Sequence, residues 1–230
     1  MKIWHISDTH THHGFLKIPT DVDMVIFSGD CSNYRDPYTN EPEVRNFITW
    51  FRHLDIKHKI FVAGNHDTSI ERGLVDKETF SNLGIVYLEN ESTTIEGINI
   101  YGSPVTPQFG QWAFMKSRSK INRVWVGIPD DSDILVVHGP PKGILDLTTD
   151  RFGNLENCGC SALRKRISKI KPKMVLFGHI HNCEGVENSG TRVLAESDTI
   201  FSNGSCVKDG RMANLNSHGN ILEYIVNNNQ

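Results

Sequence analysis

The sequence predicts an α/β domain whose chemistry sits at the ends of its strands, and three observations carry that reading. Apolar runs of strand length at 2–6, 23–28, 59–63, 133–137 and 173–177 each stop at a polar turn bearing Asp, Asn or His. Residues 42–54 and 161–170 repeat apolar side chains at three- and four-residue spacing, the period of an amphipathic helix. A chain of 230 residues is long enough to bury a full core as one domain, 1–230, and no repeat or linker divides it.

A formal net charge of -3, with Lys and Arg spread along the chain, carries no polyanion-binding signature, so a stable nucleic-acid complex is not expected. Eleven histidines are the compositional oddity. The cysteines, Cys31, Cys158, Cys160, Cys183 and Cys206, are odd in number, and the opening Met-Lys-Ile-Trp-His lacks the apolar segment of a secretory signal. No apolar stretch approaches the ~18 residues of a membrane span. A soluble cytoplasmic protein is the expectation; oligomeric state leaves no signature.

The first strand, 2–6, runs into Ser7-Asp8-Thr9-His10. Residues two apart in extended chain point to the same side, so Asp8 and His10 can reach one metal, and a carboxylate with an imidazole suits Mn, Fe or Zn better than Ca or Mg. A helix cap or surface turn would account for the same four residues. His12 and His13 follow and are expected to be solvated in a loop. The second strand delivers Gly29-Asp30, where a buried carboxylate is costly unless paired or bound to a cation, which makes Asp30 the natural bridge between two metals. Cys31 to Asn40 reads as a polar loop. The helix at 42–54 is carried by Val44, Phe47, Ile48, Phe51 and Leu54, with Asn40 and Pro42 marking its start and His53 and His58 at the surface beyond its end.

The third strand, 59–63, ends in Gly64-Asn65-His66-Asp67. A neutral oxygen, a nitrogen that titrates near neutrality and a carboxylate in successive positions suit a site that holds a metal and passes a proton. Residues 77–83 read as a helix stopped by Gly84, and 85–88 and 93–101 as strands of a second sheet. Residues 102–112, rich in Pro, Gly and aromatics, form a loop that either walls a flat substrate such as a base, through Phe109 and Trp112, or is itself anchored by those rings. If 113–125 is helical, Lys116, Lys120 and Arg123 share a face that is solvated or steers phosphate.

The 133–137 strand delivers His138 ahead of the stiff turn Gly139-Pro140-Pro141. Cys158-Gly159-Cys160 is too closely spaced for a zinc site and is expected to be structural, with oxidation sensitivity the alternative. After the helix at 161–170, which ends near Pro172, the 173–177 strand leads into Gly178-His179-Ile180-His181, whose two histidines point the same way when extended. Strands at 192–195, 199–202 and 221–226 close the chain, and 227–230 is expected to fray.

The order Asp-x-His, Gly-Asp, Gly-Asn-His-Asp, His-Gly, Gly-His-x-His, spread over residues 8 to 181, resembles the calcineurin-like metallophosphoesterase superfamily. Ile100 to Trp112 and His138 to Pro141 further resemble its small metallophosphoesterase-domain-containing subgroup, which includes cyclic nucleotide phosphodiesterases. The resemblance implies a two-sheet α/β sandwich flanked by helices, four layers in all. It implies two divalent metal ions, Mn first with Fe, Zn or Ni as substitutes. Asp8, His10, Asp30 and His181 would hold the first, and Asp30, Asn65, His138 and His179 the second. His66 would be the general acid, oriented by Asp67, and the substrate a small phosphoester or nucleotide. Many relatives carry an acidic residue where Asn33 stands; Asn33, Phe109 and Trp112 are the candidate substrate contacts. A phosphomonoesterase or nuclease on the same centre, or a metal-holding interaction module without turnover, are the competing readings.

Overall fold

Side-chain alternation along the strands sorts the interior. In Lys2–Ile6, Ile3 faces one way and Trp4 and Ile6 the other; Met24, Ile26, Ile60 and Val62 join Ile3, while Val25, Phe27 and Phe61 join Trp4. Both faces of these strands are therefore covered, which is why they read as nearly unbroken apolar runs. The computed structural model of the protein describes residues 1–150, 152–194, 197–209 and 214–225.

One sheet has the strand order Asn220–Glu223, Lys2–Ile6, Met24–Ser28, His58–Val62, Val86–Tyr87, parallel except for the outermost Asn220–Glu223. The other runs Gly190–Val193, Ile200–Asn203, Met174–Phe177, Ile134–Val137, Ile98–Ser103, Glu91–Ile95, parallel at its centre and antiparallel at both edges. Ile3, Met24, Ile26 and Ile60 of the first meet Ile100, Ile134, Val136 and Leu176 of the second in one buried cluster, so the sheets pack face to face.

Helix Pro37–Arg52 covers the outer face of the first sheet, setting Val44, Phe47, Ile48 and Phe51 on Val25, Phe27 and Phe61. The Phe47 and Phe27 rings lie 4.3 Å apart, and each such side chain contributes about 1.5–3 kcal/mol by burial. Helices Asn122–Val126 and Ser161–Ile170 cover the second sheet, with Trp125, Leu163 and Ile167 against Val137, Val175 and Phe177. This is the four-layer α/β sandwich the resemblance implied. Cys160 is structural, as expected: its buried sulfur accepts from the Leu163 N–H at the start of the Ser161–Ile170 helix and from the Trp125 indole N–H.

Several local expectations fail for identifiable reasons. The first helix starts at Pro37, capped by Asp36, whose carboxylate accepts from the Thr39 N–H at 3.1 Å, and Pro42 lies inside it. Asn40 marks no helix start because its amide is buried and cross-links loops, donating to the carbonyls of Tyr34 and His66 and accepting from the Ser69 N–H. Val86–Tyr87 belongs to the first sheet, in register with Ile60 and Phe61. Residues 113–125 are not one helix: Met115–Lys116 pairs with Thr106–Pro107 as a short strand, so Lys116, Lys120 and Arg123 share no helical face. His13 is buried, its Nε2 bonded to Asn46 at 2.9 Å and its ring 5.2 Å from both Phe47 and Trp50. Residues 195, 226 and the tail 227–230 lie outside the described residues.

His5 is a polar bolt between the sheets, bonded to Ser202 at 2.8 Å and Ser28 at 2.9 Å. Burial pulls its pKa down to about 3. Below pH ~6.5 the unfolded chain takes up a proton that the folded one refuses, so this group's stabilisation is complete above that pH and is lost as pH falls toward 3, at no more than ~1.4 kcal/mol per pH unit. We predict that His5→Gln flattens the acid dependence of unfolding free energy between pH 6.5 and 4.5 by roughly 1–2 kcal/mol, as read by urea titration; parallel curves for variant and parent would contradict this.

Candidate metal centre

Parallel strands deliver their carboxyl ends to one edge, and there the backbone is strained. Asp8, His10, Asp30 and His179 all lie in the left-handed region, with φ of 48°, 41°, 61° and 69°. Each such non-glycine residue costs on the order of 1–3 kcal/mol and persists only where the surroundings over-determine it. The loops supply that: the Asp8 N–H bonds the Gly29 carbonyl at 2.8 Å, and the His10 N–H bonds that of Asp30 at 3.2 Å. Gly64 and Gly178 are glycines for space, since a Cβ would fall into the Asp30 carboxylate at one and into the Asp8 carboxylate and Ser7 hydroxyl at the other.

The strand-end residues converge. Ligand-type atoms of Asp8, His10 and His181 lie within 4.8 Å of one another, as do those of Asp30, His138 and His179, and those of His10, Asp30 and His66. Asp30 is 3.2 Å from His138 Nε2 and 4.0 Å from His10 Nε2, and its other oxygen accepts the His66 N–H at 2.7 Å. Asn65 reaches His138 Nε2 through its side-chain oxygen at 3.0 Å. Asp8 accepts from the His179 N–H at 2.9 Å and meets His181 Nε2 at 3.2 Å.

The second ring nitrogens are fixed from outside. His10 Nδ1 bonds the Ser32 carbonyl at 3.0 Å and His138 Nδ1 the Ser28 carbonyl at 2.9 Å, which leaves each Nε2 free of its proton in the neutral tautomer and turned inward. His10 Nε2 is buried without a hydrogen-bond partner among the described residues, a costly state for a ring nitrogen unless a cation takes the lone pair. Burial pushes the Asp30 carboxyl upward, yet His138, His66 and His10 outweigh it and hold it well below the usual range. Burial works to lower His138 and His181, but Asp30 raises the first to about 9, and Asp209 with Asp8 raises the second to about 10, so each Nε2 carries a proton that a bound cation would displace. His10 and His179 are lowered by burial to about 4 and about 3. An all-nitrogen-and-oxygen donor set, two buried carboxylates and an orphaned imidazole fit two divalent cations.

Asp67 does not orient His66. Its buried carboxylate instead accepts from the backbone N–H groups of Asp30, Cys31 and Gly64 and from the Ser32 hydroxyl, tying the second and third strand ends together. Burial and then the charge of Asp30 push this carboxyl up. His66 is oriented by the Asn33 carbonyl, 3.2 Å from its Nδ1, and by Trp112, whose ring lies 4.2 Å away.

A cleft of about 420 Å³ opens on the cluster. Of the three expected substrate contacts only Phe109 lines it; Asn33 braces the His10 loop through its amide, and Trp112 backs His66. Arg118 and Asp209 line the cleft and were not singled out in the sequence. Arg118 was hidden among exposed basic residues read as one helical face, and Asp209 follows the last motif with no spacing to mark it.

Gly178→Ala is expected to break the Asp8 end of the cluster, lowering the thermal midpoint by several degrees and removing close to one equivalent of divalent metal by elemental analysis of protein loaded with MnCl₂. Gly14→Ala, with no atom within 4 Å of its added Cβ, is the control and should change neither; full metal retention in Gly178→Ala would show that the close approach is dispensable.

Comparison with known proteins agrees with this geometry. Calcineurin-like phosphoesterase is the family that matches, over residues 1–183. The chain is 30% identical over 222 residues to Metallophosphoesterase domain-containing protein 1 of Homo sapiens and of Mus musculus, covering 86% of this chain and 66% of each relative. It is 35% identical over 202 residues to a UPF0046 protein of Caenorhabditis elegans, covering 80% of this chain and 70% of that one. The chain thus spans about two thirds of the length of the curated relatives it matches. Its fold is similar to that of TT1561 of Thermus thermophilus, with a TM-score of 0.59 at 14% identity over 89% of this chain and 90% of that one. With these matches and a histidine–carboxylate cluster at the strand ends, the chain belongs to the calcineurin-like phosphoesterase family, the metallophosphoesterases.

Proposed function

We propose that the chain hydrolyses phosphodiester bonds of small nucleotides, cyclic ones first, using two divalent cations, manganese foremost, with His66 as the proton donor. The placement of His66 supports this reading most. Its ring centroid lies 4.8 Å from that of His10 and it lines the cleft, with Nδ1 on the Asn33 carbonyl. Its Nε2 has no hydrogen-bond partner among the described residues, so the protonated ring presents that N–H to a departing alkoxide. A general acid so placed contributes ~10²–10⁴ in rate. When bound, the two cations supply charge neutralisation at the phosphoryl group and let water act as nucleophile near neutral pH.

The rest of the cleft favours a small substrate. Its volume of about 420 Å³ lies within the range of small-molecule sites, ~300–1,000 Å³. Phe109, 60% exposed, lies 5.2 Å from the His179 ring and offers a flat base a face beside the cluster. Arg118, held by the carbonyls of Cys158 and Gly159, brings a cation to the same wall. That charge also suits a phosphomonoester dianion, which is the second reading. No helix among the described residues is long and apolar enough to cross a membrane. Five free cysteines fit a reducing compartment, and we place the chain in the cytoplasm.

The Mn-loaded protein is expected to turn over cyclic nucleotides and bis-p-nitrophenyl phosphate faster than p-nitrophenyl phosphate; the reverse order would favour the monoesterase reading. His66→Ala should retain metal, lose ~10²–10⁴ on diesters with alkyl leaving groups and far less on aryl esters. Equal losses on both would remove His66 as proton donor. Asp30→Asn should lower Mn content at both sites, and two tightly held equivalents would rule out a shared carboxylate.

A further inference from the structure

Three of the histidines proposed to hold cations have their outward ring nitrogen held, and they are not held alike. His10 and His138 donate from Nδ1 to backbone carbonyls, of Ser32 and Ser28. His181 Nδ1 meets a carboxylate oxygen of Asp209 at 2.8 Å, while its Nε2 faces Asp8. A carboxylate holds an N–H about twice as strongly as a neutral acceptor, and it makes the far nitrogen a better electron donor.

Backbone pairing puts Asp209 where it stands. Lys208 bridges to Asn182, and the Asp209 N–H bonds the Asn182 carbonyl at 2.9 Å, so its side chain rises beside the residue before Asn182, His181. At 60% exposed, the Asp209 side chain fills no core, and as a mere surface ion pair it would contribute little. It lies beyond the residues, 1–183, that match the family, so the matched span does not account for it.

We infer that Asp209 is a positioning residue that fixes the ring of His181 with its proton on Nδ1 and makes the Asp8–His10–His181 end of the centre the tighter of two cation sites. The inference rests on the two-cation reading above. It also gives the centre an asymmetry, because the Asp30–His138–His179 end has no such carboxylate behind its imidazoles among the described residues.

Titration of the metal-stripped full chain with MnCl₂ by calorimetry tests this apart from activity. Asp209→Ala is expected to raise the Kd of the tighter step about 10–100-fold and to leave the weaker step unchanged, with Asp209→Asn, which keeps an acceptor oxygen without the charge, falling between. Unchanged tighter binding in both variants, or equal weakening of both steps, would overturn it. Wild-type protein that binds two equivalents and hydrolyses no phosphoester would count against the proposed function and leave the role of Asp209 standing.

Discussion

A carboxylate with almost no access to water sets the terms for this protein. Asp30 is 2% exposed, at the end of a central strand, and it must stay charged to organise what surrounds it. An isolated buried carboxylate would protonate or unfold its site, so positive charge has to converge on it. Rings from the fourth, third and first of the motif-bearing strand ends lie around it: His138, His66 and His10 all hold its pKa down. Seen from Asp30, the surrounding imidazoles are what hold its charge in the cation-free cluster, and bound cations would take over that part.

Convergence of this kind needs backbone in places it resists. Asp8, His10, Asp30 and His179 occupy left-handed conformations that the flanking strands would not choose, and the cost falls on the scaffold. Asp67 offsets part of it by gathering backbone N–H groups from two strand ends, and the buried amide of Asn40 links the helix start to the same loops. The sandwich beneath contributes rigidity: His5, bonded to both sheets, keeps their register close to the site. Stability and chemistry are thus coupled through a few polar groups in an otherwise apolar interior.

How much of this was legible in the sequence depended on periodicity. Strand ends announced themselves because an apolar run stopping at a polar turn that bears Asp or His is a local signal, and His10, Asp30, His138 and His181 could be named from it. The helix at Ser161–Ile170 was equally plain. Tertiary roles were not: His13 looks like a loop histidine until Phe47 and Trp50 close over it, and Asn40 looks like a cap until its amide is seen buried. Asp67 reads as the partner of its neighbour, whereas all but one of the bonds described above, the one from Gly64, run to residues more than thirty positions away. Arg118 and Asp209 belong to no pattern, since their positions come from how loops fold over the strand ends.

The central claim is that the cluster holds two cations on one shared carboxylate. Anomalous diffraction from crystals grown with Mn tests it directly. The account predicts two peaks ~3.5–4 Å apart with the Asp30 carboxylate between them, one beside His181 and the other beside His138. A single peak, or two peaks with Asp30 bound to neither, would contradict it.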